Sequence, residues 1–174
     1  MSVKVKVLCS CLLVASILSA PCLFAQDTDV SLLKEKIITI QNMYPLGIQT
    51  LVACSKVTDY GLYEPLPDNK IKAGDVIFFY FEPQNPSTRK AEGRYEVWLS
   101  QDVVVLDAKQ QEIYKKEGFI EIHYQTSSPR LDIYGADQLT FAEVPPGQYF
   151  FKAILHDKIK EEVASATWAF EVIE

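Results

Sequence analysis

The sequence predicts a mainly β chain, an antiparallel β-sandwich with one short helix packed on it. Three observations carry that expectation. From Ile48 onward, apolar residues recur at every second position in one run after another, which is strand periodicity. Turn-forming residues break those runs at short intervals, at 65–69, 72–75, 107–110, 145–147 and 157–160. Helical spacing of apolar residues occurs near the N-terminus, at Leu33, Ile37, Ile40 and Tyr44.

In chain order, residues 1–25 read as a secretory signal peptide: Lys4 and Lys6, an apolar run over 7–24, then Ala25 before Gln26. Cleavage there leaves a helical segment over 26–47 and a sandwich domain over 48–174. Ser10, Ser16, Ser19 and Pro21 interrupt the apolar run, which disfavours an uncleaved anchor. Ser19 and Pro21 stand where a lipobox before Cys22 has Leu and a small residue, which disfavours a lipoprotein. The expected location is periplasmic or secreted.

Asp27, Thr28 and Asp29 offer caps and negative charge at a helix start, and Pro45 and Gly47 offer its end, so the helix is expected over 30–43. A helix this short is marginal alone, so its apolar stripe should pack on the β-domain. The first strand is expected over 48–57. Residues 76–81 are apolar on both faces, so that strand should be central and covered on both sides, the helix being the obvious second cover. Residues 83–93 read as a polar loop. The strand over 94–106 alternates through Tyr95, Val97 and Leu99, then meets the run Val103-Val104-Val105, so a bulge near Ser100-Gln101-Asp102 is expected. Strands are expected next over 112–116 and 119–124, with Ile120, Ile122 and Tyr124 inward and Glu121 and His123 outward. Residues 131–134 read as a short strand or an extended crossing, and 139–141 as a strand. The last hairpin places Tyr149, Phe151, Ala153 and Leu155, then Trp168, Phe170 and Val172, on inward faces.

The chain of 174 residues carries a formal charge of −6. Residues 1–25 hold two of its 17 basic and none of its 23 acidic residues, so residues 26–174 hold 15 against 23, or −8. That balance argues against nucleic acid and anionic lipid, which need clustered Lys and Arg. The densest basic pairs, Arg89-Lys90 and Lys115-Lys116, each lie near a glutamate. Cys9, Cys11 and Cys22 fall in the signal, so of four cysteines only Cys54 remains. One cysteine forms no intramolecular disulfide, and no metal-ligand cysteine spacing survives. Stability must come from the hydrophobic core.

Pro146-Gly147-Gln148-Tyr149, an alternating strand ending at Asp157, a short turn and then Phe170-Glu171-Val172 resemble the last hairpin of exported bacterial immunoglobulin-like and fibronectin-III-like sandwiches. Leu51, Cys54, Val57, Tyr60-Gly61, Tyr63, Gly74, the Asp107-Ala108 hairpin and the Pro-Gly-x-Tyr strand resemble an uncharacterised family of exported bacterial proteins. The resemblance implies an immunoglobulin-like sandwich and brings no activity, ligand or catalytic residue.

Candidate chemistry is sparse. His156-Asp157 and His123 would need a nucleophile for hydrolysis or a third ligand for a metal. No nucleophile elbow, zinc-protease motif or phosphate loop occurs. Asp59, Glu64, Asp68 and Asp75 lack calcium-loop spacing and read as solvated loop charge. Cys54 reads as a buried thiol, and Trp98 and Trp168 as core residues between the sheets. No catalytic residue, metal or cofactor is expected. The segment holding Tyr60, Tyr63 and Glu64 concentrates aromatic area beside turn residues, so it is the expected binding site.

The expected function is an exported, non-catalytic binding module of the bacterial envelope, its partner an envelope protein or glycan and its mature domain not inserted in membrane. A carbohydrate-binding accessory protein and a small exported hydrolase are the alternatives. Coplanar exposed aromatics would favour sugar. An apolar patch or open strand edge would favour protein.

Overall fold

A computed structural model describes residues 23–174, and the expected signal peptide lies, apart from its last three residues, outside them. The described residues form one helix, α1 (Leu23–Gln41), then ten strands: β1 (Gly47–Asp59), β2 (Leu62–Pro65), β3 (Lys70–Lys72), β4 (Val76–Gln84), β5 (Arg89–Ala91), β6 (Arg94–Asp107), β7 (Glu112–Thr126), β8 (Gly135–Thr140), β9 (Gly147–Asp157) and β10 (Glu162–Ile173). A four-stranded sheet runs β2-β1-β4-β8, and a six-stranded sheet runs β3-β10-β9-β6-β5 with β7 paired to the other side of β6. Every pairing is antiparallel except β3 with β10. The fold is a β-sandwich with a short N-terminal helix.

The alternation of the last hairpin carries the core as expected. Tyr149, Phe151, Ala153 and Leu155 are buried on β9, Phe170 and Val172 are buried on β10, and Trp168 is half-buried against them. Phe79 of β4 stacks on Phe151 at 3.9 Å between centroids, which joins the two sheets. One apolar cluster gathers around Phe79, Phe151 and Phe170, and a second around Phe81, Leu99 and Leu155. Ile48 and Leu51 touch both, so the core is continuous.

Several local expectations need correction. The second cover of β4 is not α1. Tyr80, fully buried on the outer face, is sandwiched between Tyr63 at 4.3 Å and Tyr134 at 5.6 Å. The described part of the helix already runs from Leu23, so Asp27, Thr28 and Asp29 lie within it rather than at its start. It docks by a different face from the one its apolar spacing marks. Ile38 is buried, Glu35 binds Lys90 at 2.6 Å and accepts from the Tyr95 hydroxyl, and Asn42 exchanges hydrogen bonds with the backbone N–H and C=O of Thr88. Leu33, Ile37, Ile40 and Tyr44 stay exposed. Side-chain polarity chose the docking face because the neighbouring surface, β5 and the start of β6, presents a lysine, a phenol and free backbone groups. The loop expected over 83–93 carries the end of β4 and the three-residue β5. Residues 131–134 are an extended crossing rather than a strand. Trp98 is not in the core: it lies on the outer face of the six-stranded sheet, stacked on His123 at 4.8 Å and bonded to Glu121.

The expected bulge exists at Gln101–Val103, but the extra residues belong to β7. Gln101 faces Ile120 and Val103 faces Lys116, so Asp102 alone opposes Glu117, Gly118 and Phe119. Two added residues leave the parity of β7 intact, and Ile120, Ile122 and Tyr124 still point inward. Gly118 takes φ 58° there, and its N–H donates to Asp102 Oδ1 at 2.8 Å.

Candidate functional site

Three surfaces of the sandwich are candidates among the described residues. The first is the expected Tyr60 segment, at the tip of the β1–β2 hairpin. Gly61 turns there with φ 66°, and its N–H donates to the Tyr80 hydroxyl at 2.8 Å. That hydroxyl in turn donates to Glu82 Oε1 at 2.6 Å. Burial, reinforced by the Glu82 carboxylate, holds the Tyr80 phenol above its ordinary range. Tyr63 is half-buried in its stack on Tyr80. Tyr60 is 41% exposed, and its ring stands 6.5 Å from that of Tyr134 at 58°. Glu64 is exposed, 3.8 Å from Lys56. Tyr60 and Glu64 are therefore accessible, while much of Tyr63 is committed to covering β4.

The second surface is the outer face of the six-stranded sheet. Cross-strand pairing brings Ser100 beside His156 and Trp98 beside His123. His156 Nε2 lies 2.9 Å from Asp102 Oδ2, and His123 Nε2 lies 2.9 Å from Glu96 Oε1. Burial acts to raise Asp102, but the Gly118 N–H and His156 outweigh it and hold the carboxyl below its usual range. His123, Arg89 and Gln125 hold Glu96 down to about 2. Ser100, Asp102, Glu117, Glu121, His156 and Lys158 border a shallow polar hollow of ≈ 490 Å³. Among the described residues neither histidine shares a hydrogen bond with a serine, threonine or cysteine, and no group of three His, Cys, Asp or Glu could hold a metal. Both histidines end in carboxylates, an arrangement that orients an imidazole but activates nothing.

The third surface was not singled out by sequence. β7 and β8 are edge strands of opposite sheets, each with one partner, and they lie on the same side of the sandwich. Between them opens an apolar groove of ≈ 450 Å³. Val105 and Phe141 form its floor, and Ile113, Tyr114, Phe119, Leu139 and Val144 line it. Ile113 and Tyr114 are 47% and 42% exposed. The sequence signal was faint: these two apolar residues stand between Glu112 and Lys115-Lys116, in residues that read as a strand. Only the placement of β8 beside them shows that they flank an opening to the core.

No protein-family model matches the chain, and no curated protein matches it.

Proposed function

We propose that the chain is a non-catalytic binding module that receives an extended apolar stretch of another polypeptide in the β7–β8 groove. The observation that supports this is the pairing of an open apolar groove with two unsatisfied strand edges. A groove of this volume suits a few apolar side chains. Exposed edge N–H and C=O groups are matched by another backbone, which favours polypeptide over a small apolar molecule. The signal-like N-terminus and the likeness to exported proteins support a partner in the envelope. Sugar draws less support: exposed Tyr60 is tilted by 58° from half-buried Tyr134, and one face of Trp98 is stacked on His123. Hydrolysis draws less still, with no nucleophile bonded to either histidine among the described residues.

Photo-crosslinking amino acids placed in turn at Ile113, Tyr60 and Val163 test this in exporting cells. A discrete protein adduct is expected from position 113, lost on adding Leu139→Lys, with none from Val163, which is exposed elsewhere. Adducts from position 60 alone would move the site to the Tyr60 segment. Unchanged near-ultraviolet circular dichroism shows that Leu139→Lys leaves the sandwich folded.

A further inference from the structure

Helix α1 docks on the sandwich by one face and leaves the opposite face apolar and uncovered. At 100° per residue, Glu35, Ile38 and Asn42 form one stripe, and Val30, Leu33, Ile37 and Ile40 form another on the far side. The second stripe has the 3-4-3 spacing of a coiled-coil seam, with exposures of 52%, 57%, 42% and 55%. Tyr44, 57% exposed, continues it in the turn after the helix. Isolated apolar residues on a surface need no explanation, but a continuous stripe does.

We propose that this stripe is a homodimer seam, on which α1 of a second copy packs in parallel. Three features of the chain support a second copy as the occupant. The sandwich lies behind the helix, so the seam is sterically open. The flanking charges are complementary: Asp29 and Lys36 border one side, Lys34 and Gln41 the other. In a parallel pair each first-flank residue meets the second-flank residue five positions later in the other helix. Asp29 then faces Lys34, Lys36 faces Gln41, and no like charges meet. The third feature is preorganisation. A seam of Val30, Leu33, Ile37 and Ile40 is short for an independent coiled coil. Here the contacts of Glu35, Ile38 and Asn42 already fix the helix, so association need not nucleate it.

Sedimentation velocity on the chain purified in the form that the cell exports tests the seam. A doubling of mass is expected between about 1 and about 100 µM. Leu33→Glu/Ile37→Glu should weaken association by about a hundredfold or more. Asp29→Lys should weaken it through repulsion from Lys34, and Asp29→Lys/Lys34→Glu should restore it. Ile37→Cys should form an oxidative dimer with itself, as a parallel seam requires. A monomer throughout that range overturns the proposal. So does a dimer that survives Leu33→Glu/Ile37→Glu, or a charge swap that fails to rescue. Flotation of monomer with vesicles of phosphatidylethanolamine and phosphatidylglycerol, lost in Leu33→Glu/Ile37→Glu, would assign the stripe to lipid instead.

Discussion

Gln101 of β6 and Asp137 of β8 are both fully buried and face each other across the sandwich. Gln101 sits between Leu99 and Val103, which belong to different apolar clusters, so the pair marks their junction. Gln101 Nε2 donates to Asp137 Oδ2 at 2.6 Å, while Gln101 Oε1 and Asp137 Oδ1 have no partner. An ionised carboxylate has no proton to donate, so it cannot satisfy Gln101 Oε1. A proton on Asp137 supplies a donor, and burial accordingly pushes the carboxyl up to about 7 against the pull of Gln101. The unfolded chain releases that proton near pH 4, whereas the folded chain holds it to about 7. Between those values the unfolded state binds fewer protons, so stability falls as pH rises. The loss is as much as about 4 kcal/mol at pH 8 relative to pH 4. Asp137→Asn provides a permanent donor and should flatten the pH 4–8 dependence of the melting temperature. An unchanged slope in that variant would place the titration elsewhere. Cys54 belongs to the same scale. It is a free, buried thiol, as its apolar strand predicted, and burial pushes it up to about 11. Alkylation with iodoacetamide at pH 8, read by mass spectrometry, should leave Cys54 unmodified until the chain unfolds.

Among the elements, the strands that sequence marks best are those with one dry face. β9 and β10 follow strict alternation because each has one face in the core and one toward solvent, so the period of two is written in residue type. The β6–β7 bulge was legible from β6, where the alternation gives way to the run Val103-Val104-Val105, but not its side, because the added residues lie in β7. β3 and β5 were not legible. Three residues carry too little pattern, and β3 pairs with β10, a strand distant in sequence. The docking face of α1 is not legible in the sequence because apolar spacing marks the apolar face and not the occupant of that face. The groove escaped notice for a related reason: Ile113 and Leu139 are ordinary strand residues until two sheet edges meet. β8 also depends on a close approach that sequence alone does not show. A side chain on Gly135 would meet the ring of Phe81, which is fully buried and has no room to withdraw. Gly135→Ala should therefore destabilise the domain by about 1–3 kcal/mol in urea titration. A neutral result would mean that β8 can shift outward along β4.

On the scale of the whole molecule, the pattern of burial calls for one cooperative unit. Ile48 and Leu51 of β1 bridge the two apolar clusters, and Phe79 and Phe81, two residues apart on β4, anchor one each. Neither cluster can lose its packing without moving β1 or β4. The buried Asp157 adds a polar tie, accepting from Ser87 N–H at 2.8 Å and from the N–H groups of Ile159 and Lys160, so it fixes the 85–88 loop to the β9–β10 turn. The two tryptophans report different places, Trp168 against the core and Trp98 on the outer face of the six-stranded sheet. In Trp98→Phe and Trp168→Phe variants, the remaining fluorophore should therefore report the same midpoint and the same slope in urea, coincident with far-ultraviolet circular dichroism. Reductant and chelator should leave the thermal midpoint within about 1 °C, since a single buried thiol offers nothing to reduce within the domain. Phe79→Ala and Leu99→Ala, one from each cluster, should each lower the single midpoint by an amount equivalent to about 2–5 kcal/mol. A Trp98 transition that precedes the Trp168 transition would divide the sandwich into two units, and the bridging role of Ile48 and Leu51 would fail with it.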